Sequence, residues 1–356
     1  MNRIAMAAAA AVLAAAAATP ALAQDRTFRV GYNIYVGFMP YGWMAENGIL
    51  DKWAQKYGVD IEVIQVNDYV GGINQFVARD LDGMAVASMD GLTIPAAGGV
   101  DTTIAIAGDF SNGNDGIVSK TASSVAELEG ETIHLFELTV SHYLLSRALE
   151  ENGLSLRDVS TVNITDADIA PAYIGSSDIA HGVAWNPMLL SMANGVEGSD
   201  IIFDSSSTPE EIVDVMLFHT DTVAEHPDFV KAFVGAWYET MEIMSGAQGE
   251  EARASMIADL ADMSGGTVED YQAQLDSTKM YYDPQEAYDL MTSDRHKETW
   301  DFVRTFSFDV GLFGEMAESK DFVGIEFPDG TILGDAENVK LRINADFTKM
   351  AIDGEL

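Results

Sequence analysis

Residues 61–107 read IEVIQVNDYVGGINQFVARDLDGMAVASMDGLTIPAAGGVDTTIAIA, and this stretch decides the fold class. Ile61 to Val66 is rich in β-branched residues and predicts a strand. Ile73, Phe76 and Val77 stand at i, i+3 and i+4, the spacing of one helical face. Met84 to Ser88 is a short apolar strand that ends at Asp90-Gly91. A helix over Thr93–Ala97 leads to another apolar strand, Thr103 to Ala107. Strand, helix, strand, helix, strand predicts an α/β protein with a mostly parallel sheet and helices on both faces.

The same alternation extends in both directions. Upstream, Phe28 to Asn33 reads as a first strand. Helical segments follow from Pro40 to Tyr57, interrupted at Gly48. Downstream the series restarts. Thr132 to Phe136 predicts a strand, and Leu145, Ala148 and Leu149 share a helical face that stops at Gly153. Val159 to Ile164, a helix over Ile169–Ile174, a strand over Gly182–Trp185 and Ile201 to Phe203 complete a second set. Two sets predict two lobes. The expected division is 24–118 with 218–356 for the first lobe and 119–217 for the second, joined near Ile117–Lys120 and Val213–Thr220. Pro227 opens a long amphipathic helix carrying Val230, Phe233, Trp237 and Met241. A mostly helical C-terminal extension is expected to pack on the first lobe.

The start of the chain reads differently. Arg3 precedes an apolar run, Ile4 to Ala18, then Pro20 and Ala21-Leu22-Ala23. This is the pattern of a secretory signal peptide, residues 1–23, cleaved after Ala23. It predicts an exported, periplasmic protein. There is no cysteine, so the exported chain must be held by its core rather than by disulfides. With 19 Lys+Arg against 57 Asp+Glu, the net charge is −38. Nucleic acid is therefore excluded as a partner, because phosphate binding needs cationic surface.

In open α/β sheets a ligand sits beyond the carboxyl ends of the strands. The loops at those ends are 32–41, 67–70, 88–93, 108–116, 136–142 and 184–188. They are rich in aromatics and contain acids but no Lys or Arg. An anion would need Arg forks or Lys. A small cation is served by carboxylates and by aromatic faces. The candidate ligand-binding residues are Tyr35, Phe38, Asp68, Asp90, Asp109, Glu137, His142, Trp185 and Asn186. Six of them have a plainer reading beside them. Asp68 and Asp90 sit where helix caps belong, and Glu137 lies between a strand end and a helix start. Trp185, Tyr35 and Phe38 would also serve as core.

No catalytic signature is present: no Gly-x-Ser-x-Gly, His-Glu-x-x-His or phosphate-binding loop. Asp109 to Gly116 resembles a calcium loop only faintly, since Ala122 stands where the final ligand Glu belongs. No enzyme activity, cofactor or metal is expected.

Several runs carry a family resemblance. Ser124 to Gly130, Val140-Ser141-His142-Tyr143-Leu144-Leu145, Ala148 to Leu154 and Ala184-Trp185-Asn186-Pro187 resemble the second lobe of the nitrate/sulfonate/taurine-type periplasmic binding proteins. Gly31-Tyr32 and Ala45-Glu46-Asn47-Gly48-Ile49-Leu50 resemble the first lobe. The resemblance covers roughly residues 26–240. Gly31 to Trp43 and Gly108 to Gly116 look closest to the subfamily encoded near urea carboxylase genes. The resemblance implies a two-lobed (type II) binding protein fold and hinge closure on a small solute. It also implies a monomer that partners an ABC permease in the inner membrane. Guanidine is the solute expected first and urea next. Alternatives are a nitrate-, sulfonate- or taurine-like solute, a sensor subunit built on the same trap, and a thiamine-pyrimidine-synthase-like enzyme.

Overall fold

The computed structural model describes residues 26–356. The signal-peptide reading, including cleavage after Ala23, lies outside the described residues. The strands are β1 (Thr27–Tyr32), β2 (Asp60–Gln65), β3 (Gly83–Ala87), β4 (Thr102–Ser111), β5 (Asp115–Ser119), β6 (Thr132–Leu135) and β7 (Ser160–Asn163). They continue with β8 (His181–Trp185), β9 (Asp200–Asp204), β10 (Val213–His219), β11 (Thr278–Met280), β12 (Gly324–Glu326), β13 (Ile332–Leu333) and β14 (Val339–Ile343).

These strands form two sheets. The first has the order β13-β12-β14-β4-β10-β3-β1-β2, with β11 paired to β4. The second has the order β7-β6-β8-β5-β9. Both are mixed. In the first, β1 runs parallel to β2 and β3, while β10 is antiparallel to β3 and β4. In the second, β6 is parallel to β7 and β8, and β5 is antiparallel to β8 and β9. Helices cover the sheets, so the central strands β3, β4 and β10 are buried along their whole length. Unbroken apolar runs of this kind are what burial on both faces produces.

Local signals place the elements. Gly48 adopts φ +73°, which separates the helices Met39–Glu46 and Ile49–Tyr57. The side chain of Asp68 accepts from the backbone N–H of Gly71 and starts the helix Tyr69–Val77. The helix Pro227–Met244 buries Phe229, Phe233 and Trp237, with Tyr41 stacked on Trp237 at 4.4 Å.

The sheets are mixed rather than mostly parallel, because β10 and β5 each run antiparallel to both neighbours, and two further features differ from expectation. The C-terminal extension is helical for much of its length, but it also contributes β11 to β14. β14 pairs in parallel with β4 and so covers an edge that would otherwise expose unpaired N–H and C=O groups. Its sequence, Val339-Lys340-Leu341-Arg342-Ile343, alternates apolar and basic residues, a period-two signal diluted by the charges. The chain also changes sheet earlier than expected. It leaves the first sheet between β4 and β5, over 112–114, and returns between β9 and β10, over 205–212. β5 lies wholly in the second sheet and β10 wholly in the first.

These two crossings are clasped together. The Ser111 and Ser205 hydroxyls lie 2.6 Å apart, and the Gly113 N–H donates to Ser205 Oγ at 2.8 Å. Both serines are fully buried.

Candidate functional site

The C-terminal end of β3 and the N-terminal end of β10 lie side by side, because Asp214 pairs with Ala87. In the second sheet Asp115 pairs with Trp185. These four residues meet across the gap between the sheets. With Asn33, Tyr35, Phe38, Tyr69, Val140 and Ile212 they line a small cavity of about 40 Å³. On this measure one water needs about 10–15 Å³, so the cavity holds roughly three or four water-sized groups. None of the lining residues is Lys, Arg or His.

Four carboxylates are buried at or beside this cavity: Asp90 is 1% exposed, Asp109 0%, Asp115 3% and Asp214 6%. Asp115 and Asp214 line it directly. Asp109 faces Asp214 across the β4–β10 pair and accepts from the Tyr35 hydroxyl at 3.2 Å. Asp90 accepts from the Tyr69 hydroxyl at 2.8 Å, and Tyr69 in turn accepts from the Ala87 N–H at 2.9 Å. Asp115 accepts from Ser111 Oγ at 2.6 Å, which ties the cavity to the clasp at the crossings. One oxygen each of Asp90, Asp109 and Asp115, and Oδ1 of Asn33, has no hydrogen-bond partner. Buried acceptors without donors are costly.

Burial sets the electrostatics. Desolvation pushes Asp90 and Asp115 up to about 7. It also raises Asp109 and Asp214, and the Asp109 charge raises Asp214 further. No basic group compensates any of them. The site is therefore short of positive charge and of hydrogen-bond donors.

The nine residues picked from sequence divide into two groups. Tyr35, Phe38 and Trp185 line the cavity, and Asp90 and Asp109 are held by tyrosines that line it. The other four have side chains committed elsewhere. Asp68 is an exposed helix cap. Glu137 accepts from Thr161 Oγ1 and borders a different groove with Phe136, Leu138 and Phe313. His142 accepts the Leu138 N–H on Nδ1 at 3.3 Å and packs edge-on against Phe306. Burial lowers its proton affinity. Asn186 donates to Ser277 Oγ at 3.2 Å and accepts from the Leu190 N–H at 3.1 Å. Each is a residue whose local bonding role outweighs its place on a strand-end loop.

Asn33, Tyr69, Asp115 and Asp214 were missed as individual residues. Asp214 carried a readable signal: it is an acid inside the apolar run Val213-Asp214-Val215-Met216-Leu217-Phe218. Such an acid is rarely tolerated in a central strand without a use.

The β1-to-helix loop must pass close to Asp109. A methyl added to Gly37 would overlap the Asp109 carboxylate and come within 2.8 Å of the Tyr35 ring. Gly37→Ala is therefore expected to lower the urea midpoint of unfolding by an amount equivalent to about 1–3 kcal/mol. An unchanged midpoint would show that the loop has room to move.

Comparison with known proteins defines the class. The architecture is the periplasmic binding protein fold. The alkanesulfonate-binding protein SsuA from Xanthomonas axonopodis pv. citri, bound to MOPS, aligns with a TM-score of 0.65 at 16% identity, covering 81% of this chain and 94% of that one. The periplasmic nitrate-binding protein NrtA from Synechocystis PCC 6803 aligns with a TM-score of 0.67 at 13% identity, covering 92% and 88%. The chain belongs to the NMT1/THI5-like family, whose model matches residues 52–252, more than half its length. A Brucella abortus (strain 2308) protein named as a binding protein is 25% identical over 218 residues, 60% of this chain and 66% of the relative. The match thus spans just under two thirds of that relative's length.

Proposed function

We propose that this chain is the exported, periplasmic solute-binding component of an ABC-type importer. In this reading it closes its two lobes on a small planar cation of the guanidinium type and delivers it to a membrane permease, without chemistry of its own. The lobes correspond to the two sheets, with the crossings over 112–114 and 205–212 acting as hinge. The family and the fold support the solute-binding role. Among the described residues no helix is long and apolar enough to cross a membrane.

The observation that carries the choice of solute is the set of four buried carboxyl groups with no basic neighbour, three of which (Asp90, Asp109 and Asp115) have an oxygen without a hydrogen-bond partner. Guanidinium has four heavy atoms, a size that suits the cavity, and N–H donors around its whole edge. Its edge satisfies carboxylates in pairs, and its face lies well on Trp185, Tyr35 or Phe38. The structural relatives are named for anions, and one feature here points the same way. The helix Val140–Glu151 begins at the cavity, and a helix N-terminus favours negative charge. It is outweighed. The N–H groups of Ser141, His142 and Tyr143 already bond to Thr139, and the Val140 side chain offers only a methyl surface. A terminus carries about half a charge, against four buried acids and a lining without Lys, Arg or His.

Urea is the second reading, favoured by a specific observation. Carboxyls held up to about 7 are partly protonated at neutral pH and could donate to the urea oxygen. A thermal-shift comparison tests the choice. Guanidinium chloride at low millimolar concentration, far below its denaturing range, is expected to raise the melting temperature, because the site exists only in the folded state. Nitrate and taurine are expected to leave it unchanged. Stabilisation by nitrate or taurine, with none by guanidinium, would overturn the cation reading.

A further inference from the structure

A second cavity, of about 370 Å³, lies beside the first. Ile34, Met39, Leu190, Ser191, Asp270 and Gln274 are among its lining residues. It sits between the loop after β1, the helix Met188–Gly195 and the helix Val268–Asp276. Among the described residues, Tyr35 is the one residue that lines both cavities. Tyr35 is 7% exposed, and its ring packs edge-on against Phe38 at 4.8 Å and is fixed at its far end by the hydroxyl bond to Asp109. A ring held at both ends works as a wall.

We propose that Tyr35 is the specificity-determining residue of the site, a partition that confines the solute to the inner chamber and rejects guanidinium compounds that carry an alkyl tail. The outer chamber is then a latent subsite for such a tail. This inference rests on the cation reading. The inner chamber takes three or four water-sized groups, which is one bare guanidinium. A four-carbon substituent doubles the heavy atoms and has nowhere to go while the ring stands. With the ring removed, the tail would run over Ile34, Met39 and Leu190. Each CH₂ it buries there would strengthen binding about fourfold.

The experiment is calorimetric titration of the unaltered protein, Tyr35→Ala and Tyr35→Phe with guanidinium chloride and with n-butylguanidinium chloride. Thermal melts confirm that each variant is folded. The unaltered protein is expected to bind guanidinium and to bind the butyl compound at least 100-fold more weakly. Tyr35→Ala should gain at least tenfold for the butyl compound while losing affinity for guanidinium. Tyr35→Phe lacks the hydroxyl but keeps the ring, so it should still reject the tail. If Tyr35→Ala proves unstable, Tyr35→Leu shortens the wall with less loss of packing, and the same gain is expected from it. Guanidinium binding without a gain in either shortened variant overturns the partition alone. Equal binding of both compounds by the unaltered protein also overturns it. No binding of guanidinium by the unaltered protein overturns the function reading, and this inference with it.

Discussion

Asp115→Asn is expected to weaken guanidinium binding at least 100-fold at pH 8 and, in the same protein, to raise the melting temperature without solute. The two effects have one cause. Asp115 is buried, one of its oxygens lacks a partner, and desolvation lifts it to about 7. Its folded value thus lies above the unfolded one. Such a group contributes stability below the unfolded value near 4, and that contribution is lost as pH rises through about 7. At pH 8 the empty protein therefore carries a charge that costs it on the order of a few kcal/mol. Asn keeps the shape, still accepts from Ser111, and removes the charge. With the cation bound the balance reverses, since breaking a buried ion pair costs about 3–5 kcal/mol. Calorimetry and melting curves at pH 8 and pH 4 read both effects. The stability gain should vanish at pH 4. A variant that binds normally, or that melts lower at pH 8, would show that Asp115 does not serve the solute.

Guanidinium affinity is expected to fall about 100-fold between pH 8 and pH 5 for each carboxyl that must ionise to hold it. Guanidinium itself stays charged over this range, so the dependence comes from the protein. Asp90 and Asp115 stand near 7, and Asp109 and Asp214 are also raised. Below 7 these groups hold protons, and the cation must displace them. The melting temperature without solute should move the other way, rising on acidification from pH 8 to pH 5 as the buried charges are neutralised. Urea would give the opposite binding profile, because a protonated carboxyl is the donor its oxygen needs. Titrations at pH 5, 6, 7 and 8 separate these cases. An affinity for guanidinium that is flat across the series would mean that the buried acids do not hold it.

Much of the architecture could be read from periodicity. β2, β3 and β4 follow from apolar runs with helical spacing between them, and the second set repeats the pattern. The long helix opened by Pro227 was equally plain. The strand β14 was not, because its alternating Lys340 and Arg342 resemble a surface segment until β4 is seen to need a neighbour. The site was legible in kind. A strand-end cleft with aromatics, acids and no Lys or Arg could be inferred from the loops. Individual members were harder. Asp68, Glu137, His142 and Asn186 lie on strand-end loops just as Tyr35 and Trp185 do, and only the three-dimensional bonding shows where each side chain is committed. Asp214 lies far from those loops in sequence. It reaches the cavity because β10 runs antiparallel to its neighbours, a reversal that hydrophobic spacing cannot reveal.

The insertion of one sheet within the other has a kinetic consequence. Every strand of the second sheet, from 115 to 204, is contributed by one continuous stretch of chain. The first sheet is interrupted: β4 borders β10, about a hundred residues later, and β14, more than two hundred residues later. Contacts between distant segments carry a larger loop-closure entropy and form slowly. The second sheet is therefore free to assemble early and by itself. The first must wait for β14 before its order is complete, whereas the solute cavity, lined by residues from Asn33 to Asp214, needs only the return of the chain through β10.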